Sequence, residues 1–233
     1  MKTIETTLRT LPEMKKALAD GAISVNAYER AYAVAADASA HDGWFEPTVE
    51  TWKQALGDIG FDGADIRFSG FGCQGDGASF TCSIDIRRII LFLADPPAPR
   101  DAILPREGGG EDFWPWISHK AGGVGRQDFM HLMPVAMDGN MEGIVRRISG
   151  HYFHENTVEA DIEVHGHYEI GEYSEIVDHS QDLLSFIESL RLDLCRAIYR
   201  DLRDEHDYLA SEESVMECAV ANDFHFDERG YLA

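Results

Sequence analysis

The clearest pattern in the chain is an alternation. Phe80, Cys82, Ile84 and Ile86 are separated by Ser79, Thr81, Ser83 and Asp85. A period of two sends one set to a core face and the other to a polar face of a strand. The stretch Ala64–Ile86 therefore predicts strand, glycine-rich loop, strand. Val158, Ala160, Ile162 and Val164 repeat the pattern against Glu159, Asp161, Glu163 and His165. This predicts a second hairpin over 143–167. A short turn at Glu155–Thr157 would pair His154 with Val158, Tyr152 with Ala160 and Ile148 with Val164. The same register sets His151 opposite Asp161, and Arg147 opposite His165 with Glu163 beside it, all on the polar face.

Elsewhere the apolar spacing is helical. Residues 12–20 predict a short helix, with Pro12 in its first turn and Gly21 at its stop. A second helix spans about 25–37, capped by Ser24 or Asn26. A third spans about 46–58, with Pro47 in its first turn and Val49, Trp52 and Leu56 facing inward. Trp44, Phe45 and Trp52 read as core residues. Arg87–Leu93 predicts a short helix or strand end, and 126–136 a helix with Phe129, Leu132 and Met133 inward. Over about 179–208, Leu183, Ile187, Leu190, Leu194, Ile198 and Leu202 recur at steps of three and four, a core-facing stripe. Ser211 caps a last helix ending near Asn222, with Glu212 and Glu213 in its first turn. Residues 95–125, rich in Pro and Gly and carrying Phe113-Trp114-Pro115-Trp116, read as a loop or insertion. The fold class expected is α+β. It is one domain with an antiparallel sheet of about four strands from two hairpins, packed on one face by N- and C-terminal helices.

Composition adds a strong charge asymmetry. There are 42 acidic and 20 basic residues in 233, a net charge of −22. From Glu155 onward the count is 21 acidic against 5 Arg. Such a surface repels phosphate backbones, so direct nucleic-acid binding is disfavoured; it could instead imitate nucleic acid toward a basic partner. Four cysteines without a C-x-x-C pair read as reduced thiols of a cytoplasmic protein. No apolar run approaches the ~18 residues of a membrane span, and the N-terminus lacks a signal-peptide core.

Candidate chemistry gathers at two places. The first is the loop Gln74-Gly75-Asp76-Gly77, where glycines permit close approach of a ligand to backbone. Asp76 and His151 are the candidate general bases there. The second is the polar face carrying His151, Asp161, Glu163 and His165. His151 and His154 fall on opposite faces of a strand, so they do not chelate as they would on a helix, and no metal set is assigned. No lysine follows the loop as in a P-loop, which argues against that route to nucleotides. No cofactor is assigned.

The motifs carry a resemblance. Ser69-Gly70-Phe71-Gly72-Cys73-Gln74-Gly75-Asp76-Gly77-Ala78-Ser79-Phe80 resembles an S-G-F-x-S-Q-G-D-G-A-x-F pattern in proteins of tailed phages and prophages. Gly150-His151-Tyr152-Phe153-His154 resembles their G-H-Y-x-H. The tail from Tyr208 to Val215 and from Ala221 to Gly230 resembles theirs as well. Some of those proteins carry an antitoxin label. Cys73 stands where the pattern has Ser, which removes a hydroxyl nucleophile there. The resemblance implies a phage or mobile-element origin in a bacterial host cytoplasm.

Two functions are carried forward. One is an accessory protein that binds and inhibits a host protein or complex, such as a defence complex, through acidic residues including Asp201, Asp204, Asp207, Glu212 and Glu213. A homodimer is compatible with it. The other is an enzyme or small-ligand binder using Gln74–Gly77 with His151, Asp161 and His165.

Overall fold

In a computed structural model of the chain the described residues are 7–40, 42–94, 129, 132–148, 150, 152–165 and 170–233, without the side chains of 93–94 and 170–175. The 95–125 segment with its aromatic cluster lies outside them, as do His151 and His167. In chain order the elements are α1 (Leu11–Ala19), α2 (Val25–Ser39), α3 (Glu46–Ile59), β1 (Phe61–Phe68), β2 (Ala78–Ile84), α4 (Ile86–Ala94), α5 (Met133–Met137), β3 (Met141–Arg147), a 3-10 turn (Glu155–Thr157), β4 (Val158–Val164), α6 (Ile170–Leu209) and α7 (Glu212–Ala221). The class is α+β, with one antiparallel sheet in the order β1-β2-β3-β4 among the described residues. Contacts divide the chain into two compact units, Met1–Glu46 with Asp201–Ala233, and Pro47–Arg200.

The terminal unit is built on small residues. Ala27, Ala31, Ala35 and Ser39 form one buried stripe of α2, four residues apart, and α2 packs there against α7. Leu11 and Met14 of α1, Val215 and Ala219 of α7 and Phe226 of the tail complete the cluster. The caps fall where the sequence places them. Ser24 Oγ accepts from the Ala27 N–H at 3.2 Å, and Ser211 Oγ from the Ser214 N–H at 3.2 Å. After α7 the tail hooks back: Arg9 and Phe226 exchange backbone bonds of 3.0 and 2.8 Å.

In the other unit the first hairpin follows its alternation from Phe80 to Ile84, but Ser79 is fully buried and not on a polar face, and Ile86 opens α4. Ile66 pairs with Phe80 and Phe68 with Ala78, with an irregularity between Asp62 and Asp65. Phe61 and Phe80 are fully buried and meet edge to face at 5.5 Å. Each such ring contributes about 2–3 kcal/mol relative to leaving it exposed. Trp52 is buried as expected, whereas Trp44 and Phe45, on the terminal unit's side of the division, are only half-buried. The helix stripe Leu183, Ile187, Leu190, Leu194 and Ile198 is buried. Its helix, α6, begins at Ile170 and runs 40 residues. Phe129 and Leu132 are buried as read and Met133 is half-buried; among the described residues of that stretch a helix spans Met133–Met137, and 126–128 with 130–131 lie outside them.

The second hairpin corrects the expected register by seven residues. Arg147 lies opposite Val158, not His165; Asp161 lies opposite Ile144, not His151; Glu163 lies opposite Glu142. The cause is a competition between two phases on β3. Met141 and Val145 fill the core at 6% and 1% exposure, while Ile148 and Tyr152 stand 55% and 61% exposed. Gly143 tips the balance: a Cβ there would lie 2.8 Å from Ile84 Cβ and 2.9 Å from Ile86 Cδ1. Only a bare backbone lets β3 close on β2. Residues 148–157 form the connection instead, held by local bonds that compete with a ladder. Thr157 Oγ1 donates to the His154 carbonyl at 2.7 Å, and Arg147 Nη1 donates to the Tyr152 carbonyl at 3.1 Å.

Candidate functional site

The glycine-rich loop is closed by its own residues. The Ser69 N–H donates to the Gly77 carbonyl at 3.0 Å, forming the neck. One carboxylate oxygen of Asp76, Oδ2, accepts from the Gly72 N–H at 2.9 Å and the Cys73 N–H at 2.6 Å. A helix holds the loop from one side. Phe71 stacks between Phe68 at 5.9 Å and Tyr199 of α6 at 5.5 Å, and the Tyr199 hydroxyl donates to the Gly70 carbonyl at 3.1 Å. Asp76 is thus a loop-closing acceptor.

The two sequence motifs meet here. A Cβ on Gly77 would sit 2.9 Å from the His154 Cα, so His154 backbone occupies the space a side chain would need. A Cβ on Gly75 would sit 3.9 Å from Tyr152 Cδ1. Cys73 and Gln74 at the loop tip are exposed, as is Tyr152.

Beside the motifs lies a charged cluster that the sequence reading missed. Glu155, 12% exposed, has one oxygen 3.1 Å from His154 Nδ1 and the other 3.2 Å from Arg196 Nε. Arg191, 4% exposed, donates to the Glu155 carbonyl at 2.7 Å and to Glu188 Oε2 at 2.6 Å. Glu188 Oε1 accepts from the Ala160 N–H at 2.6 Å. The available signal was Arg191 itself, a charge set among Ile187, Leu190 and Leu194 on the apolar stripe.

The remaining expected ligands do not join the loop. Asp161 pairs with Arg146 at 3.3 Å, and Arg146 also holds Glu159 at 3.1 Å. Asp161 is level with Ile144 and Ser83 across the sheet, while the loop begins before Ala78. That is about 16 Å along the strands and about 10 Å across them. Glu163, near the end of β4, and His165, just past it, are 3.7 Å apart. Asp201, Asp204, Asp207, Glu212 and Glu213 belong to the terminal unit. Among the described residues no group of three or more His, Cys, Asp or Glu is placed to hold a metal.

The four cysteines are free thiols. Burial pushes the Cys82 and Cys195 thiols up to about 12. Among the described residues no helix is long and apolar enough to cross a membrane.

Residues 44–98 match the sequence model of a domain of unknown function (DUF8835). The match takes in α3, the first hairpin and its loop, and covers less than half of the chain. No curated protein and no solved structure matches the chain.

Proposed function

We propose that this is a non-enzymatic binding protein whose acidic terminal unit takes a basic surface on a partner protein. In the phage setting implied by the motif resemblance, that partner is a host protein that handles nucleic acid, and occupying its basic surface inhibits it. The observation that carries the reading is the solvent-facing charge of the terminal unit. Its residues include 17 acidic against 7 basic. The side chains of Asp204, Asp207 and Glu212 are 63%, 67% and 54% exposed, and Glu213 and Glu217 are exposed beside them. Lys15 pairs with Glu212 at 2.5 Å and Arg203 with Asp204 at 3.6 Å, and the excess of acidic residues remains after such pairs. The alternative has less support, because Asp76 Oδ2 accepts from two amides of its own loop and Asp161 pairs with Arg146.

The test is capture from host lysate with the native chain and with a variant carrying Asp204→Lys, Asp207→Lys and Glu217→Lys. Glu212 and Glu213 become Gln in that variant, because lysine in the first turn of α7 would oppose the helix dipole. The reading expects one captured protein that is released by duplex DNA and by salt, and that is lost on the variant. Equal capture by both chains removes it.

A second reading, a small-ligand site at the loop, is favoured by one observation: Gly75 and Gly77 lie against Tyr152 and His154. Gln74→Ala with Tyr152→Ala would abolish binding in that case and leave capture through the acidic unit intact.

A further inference from the structure

We infer that Glu188 is a closing cap on the outer edge of β4, held in place by Arg191, and that it keeps this strand from pairing with the same strand of a second copy. Among the described residues β4 ends the sheet. In an antiparallel strand the N–H groups point alternately to the two sides. The Thr157 carbonyl and the His165 N–H bond inward, to the Ile148 N–H at 2.9 Å and the Asn140 carbonyl at 2.7 Å. Even-numbered positions therefore turn outward. Ala160 does so, and its outward N–H is the one that donates to Glu188 at 2.6 Å.

The cap is a built feature. Arg191 is almost wholly buried, and its guanidinium is aimed by two acceptors, Glu188 Oε2 and the Glu155 carbonyl. A buried charge with that geometry fixes a position rather than improving solubility. It holds the Glu188 carboxylate over the early part of β4, where a pairing strand would need the Ala160 N–H. The natural occupant of an uncapped edge is the same edge of another copy, arranged antiparallel about a two-fold axis. Such pairing would bring Glu159, Asp161 and Glu163 of the two copies together on one face, so it would strengthen as salt screens them.

The experiment is sedimentation velocity over a concentration series, at low and high salt, on the native chain and three variants. Glu188→Ala removes the cap. Glu188→Asp keeps a charge for Arg191 but falls a methylene short of Ala160. Glu188→Gln keeps an acceptor oxygen at full length. The expected result is a dimer dissociation constant about tenfold or more lower in Ala and Asp, the scale of a regained backbone hydrogen bond. Their association grows with salt, while Gln behaves as native. Amide exchange at Ala160 is faster in the dilute Ala variant and slows again on association. If the Ala variant does not fold, the Asp variant decides. A folded Ala or Asp variant that sediments as native overturns the inference. So does a Gln variant that associates as readily as Ala, since loss of charge alone would then be the cause.

Discussion

The two hairpins close their connections by different balances of local and distant bonds. In the first, the loop between β1 and β2 is closed chiefly from within, by Asp76 on the amides of Gly72 and Cys73, and Tyr199 of α6 adds one bond to the Gly70 carbonyl. In the second, the local bonds of Thr157 and Arg147 are joined by charged ones from outside, from Arg191 and Arg196 of α6 to Glu155. A loop closed from within carries its instructions locally. A loop held from outside depends on a helix that arrives 36 to 41 residues later. The first should tolerate the loss of Arg191 or Arg196 better than the second.

The sharpest way to break that contrast is Arg191→Ala. It leaves Glu188 facing a cavity and the Glu155 carbonyl without its donor. The cost expected is about 3 kcal/mol, the lower end for a buried pair that loses one partner, because Glu188 is 29% exposed. Urea unfolding would measure it. Amide exchange should rise through Glu155–Thr157 and stay unchanged at Gly72 and Cys73. Equal loosening of both loops would erase the distinction.

The next effect tests the register. Val145→Ala, at a position 1% exposed, should cost about 2 kcal/mol. Ile148→Ser, at 55% exposure, should stay within about 0.5 kcal/mol. The reverse ranking would restore the register with His151 opposite Asp161.

Asp76→Ala should cost about 1 kcal/mol, since water can reach the freed amides of an exposed loop. Faster exchange at Gly72 and Cys73 alone would report it.

The last effect is chemical and grows with pH. At pH 8 a thiol reagent should modify Cys73 in the folded chain and reach Cys82 and Cys195 only on unfolding. The two buried thiols stay protonated in the folded chain up to about 12, whereas the unfolded chain ionises from about 8.5. Native stability should therefore fall as pH rises between those values. Denaturant midpoints across that range would show it, and a flat profile would contradict it.

The same contrast explains what could be read from residues alone. The strand ending in Ile84 and the strand Val158–Val164 were legible because apolar and polar positions alternate without competitors. The caps at Ser24 and Ser211 were legible because capping is a three-residue event. β3 was not, because Ile144 and Ile148 offer one phase, Met141 and Val145 offer the other, and Gly143 decides between them through contact with a distant strand. At the candidate site, the meeting of the two motif stretches and the Glu155–Arg191–Glu188 cluster arise from packing of α6 and the second connection. No local spacing records that. Asp76 was legible as the centre of the loop, and its role as a loop-closing acceptor emerged only once the Gly72 and Cys73 amides were seen to face it.

That inward turn of Asp76 bears on how related chains could be recognised. The Gly-Asp-Gly stretch describes a turn that seals itself and leaves room for a neighbouring backbone. A search keyed to those letters would gather proteins by the shape of one turn, whatever each of them binds. The letters able to sort such proteins by partner are the ones the turn leaves in water, here Cys73 and Gln74.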